Sequence, residues 1–333
     1  MEWNVDTGAT VRRRRVIYVP GYDPAHFRKY RELYRIEGAK QAALSGYALA
    51  VSRVRADDVF AWDVAARIEG ADIATRVEVC VWSDIVRRSM EGHPLAIYGH
   101  MVRTAWIYLS TGAGLRLLRL RKGPMIAALY PVAVLLLQLA AALLPALLLA
   151  LLHPLAGLAG LPAALPILRW FRRRDGKVLA HYLMHDFAFT ASHAGQEPPE
   201  LAARMDGFAD RIAEALAGEA DEVLVVGHSS GAQIAAALVA RLLREGRVPV
   251  HGPALSLLTL GQVIPMASFL PGAARLRADL ALLSRSDRLA WVDVSAPGDG
   301  CTFALCDPVA VSGAAGPGKR WPLVLSAAYT RTL

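Results

Sequence analysis

The sequence predicts an α/β fold, in which a mostly parallel sheet flanked by helices is interrupted by a hydrophobic helical hairpin. Two observations predict this fold class. Short β-branched segments alternate with helical segments over residues 16–90 and again over 178–296, as expected for a parallel sheet and its covering helices. Between these regions no charged residue occurs from Met125 to Leu168, a length that a soluble core helix does not need.

The elements before the apolar run begin with a short strand. Residues 1–15 are expected to be a loose, basic N-terminus. Val16 to Val19 form a β-branched strand that ends in the turn-forming sequence Pro20-Gly21-Tyr22-Asp23. The following segments are predicted as a helix over 25–45, a strand over 48–52, a strand or short helix over 60–68, a strand over 76–82, and a helix that begins at Asp84.

The apolar run itself is long enough for two membrane crossings if the second crossing is short, since about 20 apolar residues span a bilayer. Four of its prolines, Pro145, Pro154, Pro162 and Pro166, exclude one continuous straight helix. The best turn lies at 153–157 and gives segments over 126–151 and 155–168. We therefore predict a transmembrane or re-entrant hairpin over 123–169, inserted into a split domain of residues 16–122 and 170–333.

Charge favours a lipid partner. The formal net charge is +8, and much of the excess lies in 116–122 and 169–174, on both sides of the apolar run. Positive flanks remain cytoplasmic, which predicts a protein of the inner membrane with its split domain on the cytoplasmic side and with residues 125–168 in the bilayer. An apolar lid that lies on the membrane is the alternative. We expect no nucleic-acid partner.

Cysteine and histidine spacing indicates neither disulfides nor metal. The three cysteines, Cys80, Cys301 and Cys306, do not form a disulfide framework, which favours a reducing compartment. No set of side chains has the spacing of metal ligands, and no cofactor is predicted.

The elements after the run surround one motif. A helix is predicted over 201–216, a buried strand over 223–226, a helix over 232–244, and strands over 254–261 and 289–296. Gly227-His228-Ser229-Ser230-Gly231 lies between the buried strand and its helix. Glycines two residues before and after the serine allow close approach of neighbouring elements, while the serine is held strained and exposed.

In this motif the chain resembles the α/β-hydrolase family of serine hydrolases. The resemblance covers roughly residues 16–90 and 178–310. It implies that Ser229 is the nucleophile and that the backbone N–H of Ser230 is one oxyanion donor. The second donor would be the backbone N–H of Tyr22 or Asp23, in the loop after the first strand. His228 is interpreted as a packing residue.

The resemblance also implies an acid after a later strand. Asp299 fits that position, in the loop that follows the strand over 289–296, and Asp307 is the reserve. Asp293 falls within the strand and is expected to be a structural polar residue.

The family's histidine follows the acid, yet this chain has no histidine from Cys301 to Leu333 and no predicted terminal strand or helix. Three explanations are open. A longer form of the chain carries the base; or an upstream histidine serves, with His251 the first candidate and His193 and His185 the others; or catalysis has been lost while the fold is kept.

These observations predict a membrane-anchored serine hydrolase that cleaves an ester or thioester through an acyl-enzyme on Ser229. Location beside a bilayer suggests a lipophilic substrate. The alternatives are a non-catalytic membrane protein that uses the fold for binding or scaffolding, and an acyltransferase.

Overall fold

The computed structural model describes residues 11–25, 28–53 and 60–327. These residues form an α/β protein with one mixed sheet of eight strands, flanked by helices. The strands are β1 (Arg13–Val19), β2 (Ala48–Arg53), β3 (Ala61–Ile68), β4 (Ala71–Val79), β5 (Glu222–His228), β6 (Ala254–Leu260), β7 (Ala290–Ser295) and β8 (Leu323–Ser326). The prediction of an α/β class is confirmed, and the segment over 60–68 is a strand.

The strand order is β2-β3-β4-β1-β5-β6-β7-β8, and the six strands from β4 to β8 in this order are parallel. β2 and β3 extend the sheet as an antiparallel pair. After β1, the strands β2 to β4 lie on one side of it in the sheet, and β5 to β8 lie on its other side. The carboxyl ends of β1 and β5 therefore meet where the strand order reverses, which is where open α/β sheets form their binding crevice.

The helices are α1 (Arg28–Ser45), α2 (Ser83–Ser89), α3 (Ala96–Ser110), α4 (Ala113–Leu120), α5 (Lys122–Leu152), α6 (Pro154–Gly160), α7 (Ala164–Arg173), α8 (Asp175–Val178), α9 (Ala180–Ser192), α10 (Pro199–Leu216), α11 (Gly231–Arg244), α12 (Ile264–Ser268), α13 (Ala274–Arg285) and α14 (Pro308–Val311). The chain divides into two compact units. Unit 1 comprises 1–85, 197–264 and 274–333, and unit 2 comprises 86–196 and 265–273.

Unit 1 has its core on both faces of the sheet. On one face α1 covers the β1–β4 side, where the Tyr30 ring meets Tyr18 edge-on at 5.4 Å between centroids and Tyr34 contacts Trp62. On the other face α11 packs directly on β5, and its residues Ala235 and Leu238 are fully buried. Apolar burial on both sides explains why the parallel strands contain so few polar residues.

Unit 2 contains the apolar run. Lys122–Leu152 and Pro154–Arg173 are helical segments that contain 18-residue stretches with mean hydropathy 2.6 and 1.2, and by length and composition each could cross a membrane. The predicted break at His153 is confirmed, since α5 ends at Leu152 and α6 begins at Pro154. Pro145, however, lies inside α5 and does not end it.

Three features differ from the predictions. Arg13 to Arg15 belong to β1 rather than to a loose N-terminus, because Arg14 and Arg15 form ion pairs with Glu222 and Glu78 on the neighbouring strands; residues 1–10 lie outside the described residues. A terminal strand, β8, is present and pairs with β7. Finally, the unit that contains the apolar run extends well beyond 123–169 on both sides.

Candidate active site

The strand-to-helix turn after β5 holds Ser229 in a strained conformation. β5 ends at His228 and α11 begins at Gly231, so two residues reverse the direction of the chain. Ser229 has a φ of 55°, in the left-handed region that residues with a Cβ atom avoid. The turn is fixed on both sides, because the Ser229 N–H donates to the Leu260 carbonyl at 2.9 Å and its carbonyl accepts from the Ala232 N–H at 3.1 Å.

The two flanking glycines are required by close backbone approach. A Cβ atom at Gly227 would lie 2.6 Å from the Ala232 Cα, and one at Gly231 would lie 2.3 Å from the Val19 carbonyl oxygen. Both distances are far below van der Waals contact, and the atoms approached are backbone atoms that cannot rotate away. The motif therefore has glycine at these positions because α11 must pack against the ends of β5 and β1.

The loop after β1 lies directly against this turn. A Cβ atom at Gly21 would be 3.1 Å from the Ser229 Cβ, and the Tyr22 N–H donates to the Ser230 Oγ at 2.8 Å. Trp82, just beyond β4, supports the loop from behind: its Nε1–H donates to the Pro20 carbonyl at 3.0 Å, and its ring meets the buried Tyr22 ring edge-on. The structure thus brings Tyr22 to the motif, with its N–H bonded to the Ser230 hydroxyl.

The Ser230 N–H is open. In the described part of the chain it donates to no carbonyl and no side chain. It lies at the N-terminus of α11, where unpaired N–H groups and the helix dipole favour negative charge. An oxyanion formed next to Ser229 would find a preorganised donor here.

Asp299 lies at the same edge of the sheet. It follows β7. Its Oδ2 would be 3.9 Å from a Cβ atom placed on Gly261. Gly261 comes directly after Leu260, whose carbonyl accepts the hydrogen bond from the Ser229 N–H. Its Oδ1 accepts from the Cys301 N–H at 2.9 Å, which orders the loop and leaves Oδ2 available. The side chain is half-buried.

His228 is the functional candidate that the sequence interpretation undervalued. It is exposed at the end of β5 rather than packed in the core. Neighbouring atoms desolvate the ring and lower its pKa, while the negative charges of Asp299 and Asp23 act in the opposite direction. Among the described residues of unit 1, His228 is the histidine at the carboxyl edge of the sheet. Its position as the last residue of a strand was the signal in the sequence.

His251 and Asp307 do not join this site. His251 precedes β6 and lies at the amino edge of the sheet; since β6 has seven residues, it is about 20 Å from the turn and cannot be the base. Asp307, the reserve acid, is instead the N-cap of α14, with its Oδ1 accepting from the Val309 N–H at 2.9 Å and its Oδ2 paired with Lys319 at 2.7 Å. His185 and His193 belong to unit 2.

Asp293 is a structural residue of β7, as predicted. It is fully buried, its Oδ1 accepts from the Thr259 hydroxyl at 2.5 Å, and its Oδ2 has no hydrogen-bond partner. Burial raises the pKa of this carboxyl to about 6. A groove of about 900 Å³ beside Arg12 and Asp221 is at the amino edge of the sheet and not at Ser229.

Comparison with known proteins finds no family model, no curated protein and no solved structure that matches this chain. Functional inference therefore rests on the geometry of the turn. Within the described residues, no group of three or more histidine, cysteine or carboxylate side chains is arranged to hold a metal ion.

Proposed function

We propose that this chain is a membrane-anchored serine hydrolase that cleaves an ester or thioester through an acyl-enzyme on Ser229. The observation that carries the proposal is the left-handed backbone of Ser229, at a strand-to-helix turn beside the point where the strand order reverses. Left-handed serine costs stability of the order of 1–2 kcal/mol, and such strain concentrates at functional sites. An α/β-hydrolase nucleophile occupies this kind of turn.

The chemistry assigns each group of the turn a step. The Ser229 Oγ attacks the substrate carbonyl carbon, and the Ser230 N–H stabilises the negative oxygen that develops. The bond to the leaving alcohol or thiol then breaks, and the leaving group takes up a proton. Water hydrolyses the acyl-enzyme in the second half-reaction. The Tyr22 N–H can serve as the second oxyanion donor once the Ser230 hydroxyl rotates away from it.

Proton transfer needs a base near Ser229. In the described part of unit 1, His228 is the histidine at this edge of the sheet, and the negative charges of Asp299 and Asp23 favour the protonated histidine that a proton transfer would create. Asp299 is the carboxylate at the position that the resemblance implies for the acid. This pair is the candidate acid–base system.

Membrane anchorage is supported by the two apolar helical segments and by the cations on both sides of them. Positive flanks favour the cytoplasmic face of the inner membrane. Anchorage of the chain to a bilayer favours a lipophilic ester as substrate.

A non-catalytic scaffold is the second candidate, and one observation favours it. Within the described residues the Ser229 hydroxyl forms no hydrogen bond to a histidine or to any other side chain. A binding protein would retain the fold without needing an activated serine.

Hydrolysis of a series of p-nitrophenyl esters of increasing acyl length, by the purified protein in detergent micelles, tests the proposal. The wild type should release p-nitrophenol, and Ser229→Ala should reduce the rate by about 10³-fold or more. Ser256→Ala, a serine-to-alanine change within β6, is the matched control and should retain activity. Equal rates for wild type and Ser229→Ala would favour the scaffold. An acyltransferase would form the acylated acceptor in preference to free acid when glycerol is added.

A further inference from the structure

The two limbs of the apolar run form a close antiparallel pair. A Cβ atom at Gly157 would lie 2.8 Å from the Ala150 Cβ, and one at Gly160 would lie 2.5 Å from the Ala146 Cα. From Gly157 to Gly160 the second limb moves three residues along the chain, while the contacted residue of the first limb moves back four residues, from Ala150 to Ala146. Since both limbs are helical with the same rise per residue, counting equal numbers of residues from the turn at His153 places Leu168 level with about residue 138. We call residues 138–168 the apolar hairpin.

The base of the apolar hairpin is held by the rest of unit 2. The buried Gln138 Oε1 is 3.1 Å from the His181 Nε2, and just below it Leu135 packs with Ile97 of α3 and Met184 of α9. On the second limb, Arg172 donates to the Gly92 carbonyl at 2.5 Å. On this face the first limb is therefore held by protein as far as Gln138, while Leu136 and Leu137 on its other face are exposed.

The uncharged part of the second limb is shorter than the hydrocarbon core of a bilayer. From His153 to Leu168 it has 15 helical steps, which at 1.5 Å per residue is about 22 Å. The hydrocarbon core is about 30 Å thick. Charged side chains resume at Arg169, level with the base. With Arg169 in the headgroups, the turn at His153 cannot reach the opposite surface.

The tip has the chemistry of a buried turn. Leu151 and Leu152 are 76% and 82% exposed, and Leu155 is 69% exposed. One ring nitrogen of the turn histidine is paired within the turn, since the His153 Nδ1 accepts from the Leu155 N–H at 3.2 Å. A turn that emerged into water would expose these leucines to solvent, at roughly 1.5–3 kcal/mol for each side chain.

The base has the chemistry of a headgroup region. Trp170 is 51% exposed and the Arg174 guanidinium lies 4.0 Å from its ring centroid. Arg169 and Arg173 are exposed beside it. Exposed tryptophan and arginine together are typical of the membrane interface, where anionic lipids attract the cations.

We propose that the apolar hairpin enters the bilayer from one surface and returns to the same surface, with its tip inside the hydrocarbon. The chain is thereby a monotopic membrane protein whose lipid partner contacts the hairpin side chains from one side only. This inference rests on the membrane anchorage of the proposed function, and it specifies how that anchor contacts lipid.

The proposal is tested by labelling single cysteines with a membrane-impermeant maleimide. The labelling is done in sealed vesicles, in separate preparations of the two membrane orientations. The background is the full chain with Cys301→Ser and Cys306→Ser, in which Cys80 stays buried. His153→Cys and Leu152→Cys report on the tip, and Arg173→Cys reports on the base. We expect the base cysteine to react in one vesicle orientation only, and both tip cysteines to react in neither orientation until detergent is added.

Two results would overturn the proposal differently. Reaction of the tip cysteines in the orientation opposite to that of Arg173→Cys means that the hairpin spans the bilayer, which leaves the anchorage intact. Reaction of tip and base from the same side, with release of the protein by carbonate washing, means that the hairpin is not inserted, and the anchorage itself fails. Neither result depends on whether Ser229 is catalytic.

Discussion

Replacing Ser229 by glycine should give a more stable protein than replacing it by alanine. Both changes remove the hydroxyl, so the two variants differ in the free energy that the left-handed backbone conformation costs each residue. At the observed φ of 55°, an alanine retains the left-handed penalty of about 1–2 kcal/mol, and a glycine does not. Relative to alanine, glycine lowers the free energy of unfolding by about 0.5–1 kcal/mol, because the unfolded chain is more flexible with glycine. The net advantage of glycine is therefore about 0.5–1 kcal/mol, of the order of 2 °C in melting temperature for a protein of this size.

Ser230 provides the matched control one residue away. Its φ is −64° and its ψ is −22°, an ordinary right-handed conformation. At this position both substitutions remove the same hydrogen bond from Tyr22, and Ser230→Ala should be more stable than Ser230→Gly by about 0.5–1 kcal/mol.

The assay is thermal unfolding of the four variants in one detergent. The order of glycine and alanine should invert between 229 and 230. If alanine is the more stable substitution at both positions, Ser229 does not have a strained backbone, and the argument for a specialised turn is refuted.

Three further predictions concern the same unit. Gly231→Ala should prevent accumulation of folded protein, measured by size-exclusion chromatography, because its Cβ would lie 2.3 Å from the Val19 carbonyl oxygen; a normal elution profile would contradict this. Between about pH 4 and 6 the free energy of unfolding should fall as pH rises, because the folded state holds a proton on Asp293 that the unfolded chain releases. Asp293→Asn should flatten this pH dependence in denaturant titrations. An unchanged slope would exclude Asp293 as its source. Asp299→Asn should lower the pKa of His228 further, since a negative charge that favours the imidazolium is lost. An NMR titration of His228 with an unchanged midpoint would show that Asp299 does not act on this histidine.

The parts of the site that local sequence determines were predictable. Four apolar residues, Gly-x-Ser-x-Gly and a run of helix formers specify a strand, a tight turn and a helix within 22 residues of chain, and β5 and α11 follow that pattern. Asp307 also carries a local signal, because Asp followed by Pro308 is typical of a helix N-cap, and this role replaces that of a reserve acid.

Parts that depend on strand order were not predictable from local pattern. His251 is close to Ser229 in sequence, but the parallel strand that follows it carries the chain from one edge of the sheet to the other. Sequence separation does not distinguish these edges. β8 was missed because four residues, Leu323–Ser326, are too few for a periodic signal.

The apolar run shows which prolines end a helix and which do not. Pro145 lies within the predicted segment over 126–151, and α5 continues through it. One missing backbone hydrogen bond costs less than a break that would expose several unpaired backbone groups to an apolar environment. Sequence alone did identify the break at His153-Pro154, where a second apolar limb can pack back on the first.

The most direct test of the central claim is covalent labelling of the intact protein with a fluorophosphonate, followed by peptide mass spectrometry. Phosphonylation should occur on the Ser229 hydroxyl, should be absent from the adjacent Ser230, and should disappear in Ser229→Ala while Ser256→Ala remains labelled. An unlabelled wild type that is nonetheless folded by the unfolding assay, or a label on any other serine, would contradict the account of Ser229 as an activated nucleophile.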